Sequence, residues 1–289
     1  MQIFTQLVFS GIALGMIYAV IAFGYQLTIA TSDTLNFGQG DALMLGALVG
    51  LSLVGWGVNY WLMIPIVCLF GIVQGALVER IGVRPAIKIK SEFGWIMSTI
   101  ALGIIFKNVA ENVWGRDDLK FPSPLPEAPL HFLGANVLPM EILVVVGALL
   151  MMLAVELFNR RSIYGKAVVA TFNDRDAAKL MGINTGLVIT FSYALSSLTA
   201  AFAGVLIAPL TLTGATMGSV LGLKAFAEQD RVQRQVDAIL RSKPKTPGAS
   251  GGVSSIAIHV QPAALPHPDP ADLARAAHSH ARRQLRDGR

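Results

Sequence analysis

Residues 170–186 read ATFNDRDAAKLMGINTG, a charged stretch set between two apolar runs, VLPMEILVVVGALLMMLAVELF at 137–158 and GLVITFSYALSSLTAAFAGVLIAP at 186–209. As a helix, about 20 apolar residues cross the roughly 30 Å hydrocarbon core of a bilayer. Each flanking run meets that length, whereas the stretch between them carries Asp174, Arg175, Asp176 and Lys179, which are costly in lipid. The chain therefore leaves the membrane near residue 159 and returns near 186. This alternation decides the fold as membrane spans joined by polar links.

Working outward, the same length criterion marks spans at 6–29, 38–57, 60–82 and 94–113, with a further apolar run starting near 216. The expected fold class is all-α, a polytopic transmembrane helical bundle of about six spans plus a partial seventh. Composition agrees, because 53% hydrophobic and 14% charged residues with a mean hydropathy of +0.57 lie outside the range of soluble globular domains. The formal net charge of +5 does not indicate nucleic acid as a partner, since the bases sit in short links and in a polar tail rather than on one face. The start, MQIFTQLVFSGIALGMIYAVIAFGYQL, lacks a basic leader and a cleavage site and reads as a retained first span. Cys68 is the single cysteine and reads as a small core residue.

Lys and Arg mark the cytoplasmic side. The links ERIGVRPAIKIKSE and NRRSIYGKAVVATFNDRDAAKLMG are basic, whereas GRDDLKFPSPLPEAPLHFLGAN has more acids than bases and four prolines. The first two are expected inside and the third outside as an extended loop, which puts the N-terminus outside. The pairs Gly11/Gly15, Gly46/Gly50 and Gly71/Gly75 let helix backbones approach closely, within this chain or across a dimer seam.

Polar groups at membrane depth are functional candidates. TSDTLNFGQGDALMLGAL, 31–48, places Asp33, Asn36, Gly38, Gln39, Gly40 and Asp41 directly after the first span. Thr34 or Asn36 is expected to cap a helix with Asp41 in its first turns. Alternatively, the glycines break the helix and expose backbone to a solute path. Lys107 and Glu111 stand i,i+4 and read as an ion pair at a span end.

In the charged insert, Asn173 is the expected N-cap, Asp174 and Asp176 occupy the positive helix end, and Gly182 suits the C-terminal cap. Its two turns read either as an ordinary surface helix or as an element docking in a groove of a soluble partner.

The order of NFGQGDALMLGA, ERIGVRPA, NDRDAAKLMGINT and SSLTAAFAGVLIAPL over residues 1–227 closely resembles the inner-membrane permeases of branched-chain amino acid ABC importers. The resemblance implies a bacterial inner-membrane protein translocating a small amino acid, with leucine, isoleucine, valine, urea and short amides all open as solutes. It implies that the loop 159–185 contacts the cytoplasmic ATP-binding subunits through Asn173, Asp174, Arg175, Asp176, Ala177, Lys179, Met181, Gly182, Ile183 and Asn184. It further implies a second homologous permease and a periplasmic substrate-binding protein as partners. Because the sequence has no GxxxxGK[ST] loop, ATP is expected to be used by the partner subunit, and no catalytic site, cofactor or metal is expected in this chain. A secondary transporter driven by an ion gradient remains the rival from another class, with Asp41 and Glu111, both expected near span ends, as its candidate acids.

After LTLTGATMGSVLGLKAF the membrane character stops at Glu228. A helix is expected at 228–241, then a disordered remainder rich in Pro, Ala, His and Arg. The tail reads as a native extension or, preferred here because it interrupts a membrane segment, as an out-of-frame end that weakens transport. His259, His267, His278 and His280 lack a ligand spacing for metal.

Overall fold

The computed structural model describes residues 2–32, 34–89, 93–126, 128, 130–132 and 135–242. The remainder of the tail with its histidines, and Asp33, lie outside the described residues.

The described residues form ten α-helices: α1 (Gln2–Ser32), α2 (Gln39–Gly55), α3 (Tyr60–Val78), α4 (Arg84–Lys88), α5 (Gly94–Trp114), α6 (Pro139–Arg161), α7 (Ile163–Asn173), α8 (Arg175–Leu180), α9 (Thr185–Ile207) and α10 (Met217–Ser242). A π-helical turn, Glu79–Val83, joins α3 to α4, and an antiparallel hairpin of β1 (Leu130–Phe132) and β2 (Ala135–Val137) interrupts the outer loop. Among the described residues five helical segments are long and apolar enough to cross a membrane, while α2 and Met217–Ala227 are shorter apolar helices. The expected bundle is thus present, but the second of the expected spans is only 17 residues, and the apolar start of α10 continues without a break through Glu228 into a charged half.

Helix α9 is the centre of the bundle. In its most apolar stretch 72% is buried, against 17% in α5 and 22% in α6, whose outward Ile105 and Leu153 suit lipid contact. Its small residues allow this position. A Cβ on Gly204 would strike the Leu43 carbonyl oxygen of α2, and one on Gly46 would meet Ala201 of α9. Gly71 and Gly75 of α3 likewise lie against Ala201, Ser197 and Tyr193. Two of the three expected glycine pairs therefore serve packing inside this chain, as close helix approach in lipid requires. Gly11 and Gly15 meet nothing within 4 Å.

Both basic links lie at one end of the bundle. Arg84 Nη2 donates to Thr190 Oγ1 at 2.8 Å, and Arg175 Nη2 donates to the Thr31 carbonyl oxygen at 2.6 Å. At the other end, Ser10 Oγ donates to Glu141 Oε1 at 2.5 Å, and Leu119 and Thr213 exchange backbone hydrogen bonds.

Candidate functional site

Two places in the bundle carry the residues singled out by sequence. The first begins where α1 ends. The chain turns back into the protein as a non-helical strip, 34–38, with Thr34, Leu35 and Asn36 buried. Irregular backbone at membrane depth must be satisfied by protein. Thr34 Oγ1 lies 2.7 Å from the Tyr193 hydroxyl, Asn36 Oδ1 accepts from Gly38 N–H at 3.1 Å, and the Asn36 carbonyl accepts from Gln39 N–H at 3.1 Å. Gln39 Nε2 then donates to the Ser196 carbonyl oxygen at 3.0 Å, and its Oε1 accepts from Ser196 Oγ at 2.8 Å. Ser196 is the twelfth residue along the 23 of α9, so α2 starts near half the depth of the bundle.

This corrects three expectations. Asp41 does not sit near a span end: its Oδ2 lies against Gly103, the tenth residue along the 21 of α5. Neither Thr34 nor Asn36 caps α2; Gly38 holds the N-cap position without a side-chain bond, although Asp41 does occupy the first turn. Lys107 does not pair with Glu111, which bonds Arg116 at 3.3 Å; Lys107 stands one turn beyond Gly103 and lines the same cavity as Asp41. The physical reason is shared. Thr34, the two oxygen atoms of Asn36 and the Gln39 side chain find partners inside the protein, so α2 can begin deep in the bundle.

The cavity, about 360 Å³, lies between α1, α2, α5 and α10 and is walled by Tyr25, Phe37, Ile100, Ile104, Leu223 and Phe226 with Asp41 and Lys107. Of the expected path residues, Gly40 and Asp41 line it, whereas Asn36, Gly38 and Gln39 hold the strip that forms its edge. Sequence reasoning missed Gly218 and Gly222 of α10, although they repeat the four-residue glycine spacing. A Cβ on Gly40 would collide with the Gly218 carbonyl oxygen, and one on Gly222 would stand 2.9 Å from Gly40 Cα. These bare backbones bring α10 against the start of α2.

The second place is the charged insert. Asp174, not Asn173, is the N-cap of α8: its Oδ1 accepts from Asp176 N–H and Ala177 N–H, both at 2.9 Å. Asn173 instead ends α7, a helix unforeseen in sequence although IYGKAVVATF has apolar residues at helical spacing. Lys179 Nζ bonds Asp176 Oδ1 at 3.0 Å, an exposed pair of little energetic weight. At the other end, Gly182 has φ +84 as expected, Gly182 N–H donates to the Lys179 carbonyl and Ile183 N–H to the Ala178 carbonyl, each at 3.0 Å. These two bonds close a Schellman turn. Asn184 Oδ1 then accepts from Leu187 N–H at 3.2 Å and starts α9.

Changing Gly182 to alanine should destabilise this turn by about 1 kcal/mol, because a Cβ is disfavoured at that φ. Faster proteolysis at 181–185 with unchanged membrane insertion is the expected readout.

The insert is fixed to the bundle yet open outward. Arg175 reaches Thr31 at the end of α1, and Ala178 is buried, while Leu180 and Met181 are 88% and 83% exposed. Beside it, Glu79 is 2% exposed and bonds Arg84 Nε at 3.0 Å and Arg84 Nη2 at 3.3 Å, while Thr190 Oγ1 donates to Glu79 Oε2 at 2.8 Å. This triad ties the π-helical turn to the first turns of α9, directly after the insert.

A family model described as branched-chain amino acid transport system / permease component matches residues 7–228. The chain is 28% identical over 246 residues to the high-affinity branched-chain amino acid transport system permease protein LivH of Escherichia coli (strain K12), covering 77% of each chain. It is 26% identical over 239 residues to BraD of Pseudomonas aeruginosa, a permease protein of the same description, again over 77% of each. The fructose import permease protein FruF of Bifidobacterium longum is 24% identical over 192 residues, 65% of this chain and 51% of that one. No solved structure matches significantly.

Proposed function

Because the chain belongs to the family of branched-chain amino acid transport permease components, we propose that it carries branched-chain amino acids inward beside a second homologous permease. As a member of that family it is a permease subunit of an ABC importer, a multi-pass protein of the bacterial inner membrane, and works with ATP-binding and substrate-binding partners. In this reading the chain has no catalytic site, cofactor or metal of its own, and ATP is bound and hydrolysed by the partner subunit. A periplasmic binding protein delivers the solute to the outer face.

The observation that carries the coupling role is the exposed pair Leu180 and Met181 at the end of a short helix capped at both ends and tied to α1 by Arg175. An apolar pair of this kind fits a groove on a soluble partner, and the tie to Thr31 gives movement of α8 a route into a span. Within the solute path we place Gly40 and Asp41 on the wall and Asn36, Gly38 and Gln39 as its frame. A mid-depth acid would also serve an ion-coupled carrier, and family membership decides against that alternative.

Charge reversal at Asp174 and Asp176 is a poor test, because it also removes the N-cap of α8. Leu180→Asp with Met181→Asp leaves the caps intact. With the assembled importer in proteoliposomes, ATP-driven leucine uptake should fall at least about tenfold, equivalent to roughly 1.4 kcal/mol of docking energy. Uptake equal to that of the unaltered importer would sink the docking role.

A further inference from the structure

We propose that Asp41 and Lys107 form a clamp for the zwitterionic head of an α-amino acid, Lys107 taking the carboxylate and Asp41 the ammonium, with the apolar wall holding the side chain. The inference rests on the importer reading above and names how its path recognises solute.

Four observations support it. The two residues line one cavity of about 360 Å³, a size within the range of small-molecule sites. They carry opposite charge near half-depth of the bundle, where an ionisable side chain without a function is costly. Neither makes a hydrogen bond or a direct ion pair with the other or with any described residue, so each has its charge-assisted bonding capacity available. Finally, the rest of the lining is aromatic and aliphatic, with Tyr25, Phe37, Ile104 and Phe226 on different elements. A solute with one positive and one negative group at one end and an apolar body satisfies this lining. A neutral amide or a sugar leaves both charges unmatched, and in a site of low polarity unmatched charges are penalised.

The geometry that brings the two together is specific. Gly103 has no side chain, which lets the Asp41 carboxylate rest on the α5 backbone, and Lys107 projects from the next turn of the same helix. The glycine contacts of Gly40 with Gly218 and Gly222 close the opposite wall.

The test uses the assembled importer in proteoliposomes. Unaltered, it should take up leucine only with ATP; absence of uptake would overturn the importer substrate reading itself. Asp41→Asn and Lys107→Met should each reduce leucine uptake by at least about tenfold, the loss expected for one charge-assisted bond. Lys107→Arg should retain most of it. Unchanged uptake in both neutral variants, or an equal loss in Lys107→Arg, overturns the clamp and leaves the importer reading standing.

A second measurement keeps both charges in place. With Cys68→Ser as background, Ser219→Cys puts a thiol on the cavity wall. Without ATP, leucine should slow maleimide labelling of that thiol, whereas 4-methylpentanoate, which lacks the ammonium, and 3-methylbutylamine, which lacks the carboxylate, should not. Equal protection by all three, or protection by none while ATP-driven leucine uptake persists, overturns the clamp.

Discussion

Gly204→Val is expected to lower the unfolding temperature of the bundle strongly. A Cβ at this position meets the Leu43 carbonyl oxygen of α2, and backbone cannot move aside as a flexible side chain would. Gly204 lies on α9, which packs most extensively on α3, then α2 and α1, so displacing α2 disturbs the centre of the protein. Overpacking in a well-filled core costs up to about 3 kcal/mol, and a backbone collision belongs at that upper end. Thermal unfolding in detergent should show the folded fraction lost at temperatures the unaltered protein survives. Gly11→Val, where nothing lies within 4 Å, should leave the transition in place. Equal behaviour of the two would show that α2 and α9 do not meet as described.

Arg84→Ala is expected to be the second large effect. Glu79 has a side chain only 3% exposed and accepts from both Arg84 nitrogens and from Thr190. Removing the guanidinium leaves a buried carboxylate with the Thr190 hydroxyl as its only remaining side-chain partner among the described residues. Breaking a fully buried pair costs about 3–5 kcal/mol, and because Arg84 is 34% exposed on its side chain a lower figure of about 2 kcal/mol is expected. The double variant Arg84→Met with Glu79→Gln removes the charge on both sides and should recover most of that loss. A double-mutant cycle on unfolding reads the difference. No recovery would mean that the triad acts through packing and not through charge. Since the triad adjoins the α8–α9 turn, a parallel loss of ATP-driven uptake in Arg84→Ala beyond the loss of folded protein would place it in the coupling route.

The residues that were easy to read are those whose chemistry is local. In α8 the acid at the start, the glycine at the end and the small apolar face all lie within a dozen residues, so helix capping rules nearly located it, missing the N-cap by one residue. Asp174 displaced Asn173 because α7 runs directly into it, and only the later of two good capping residues can start a new helix after a preceding one ends. The cavity was harder. Asp41 stands out in the sequence as a polar group beside lipid and Gly40 as a helix breaker, but i,i+4 spacing pairs Lys107 with Glu111 because it sees only one helix.

By itself the sequence determined that this chain is a helical membrane protein with a charged insert on one side, because span length and charge are properties of consecutive residues and the bilayer imposes both. It also determined the family, through the order of its segments. Only the tertiary structure decided that α2 begins inside the bundle and that Asp41 and Lys107 line one cavity. Those facts depend on α9 supplying Tyr193 and Ser196 to a strip some 160 residues away in the chain, and on bare glycine backbones letting α2, α5 and α10 meet. No rule of local spacing contains such partners, because lipid sets where a helix can lie and side-chain fit alone sets which helix it touches.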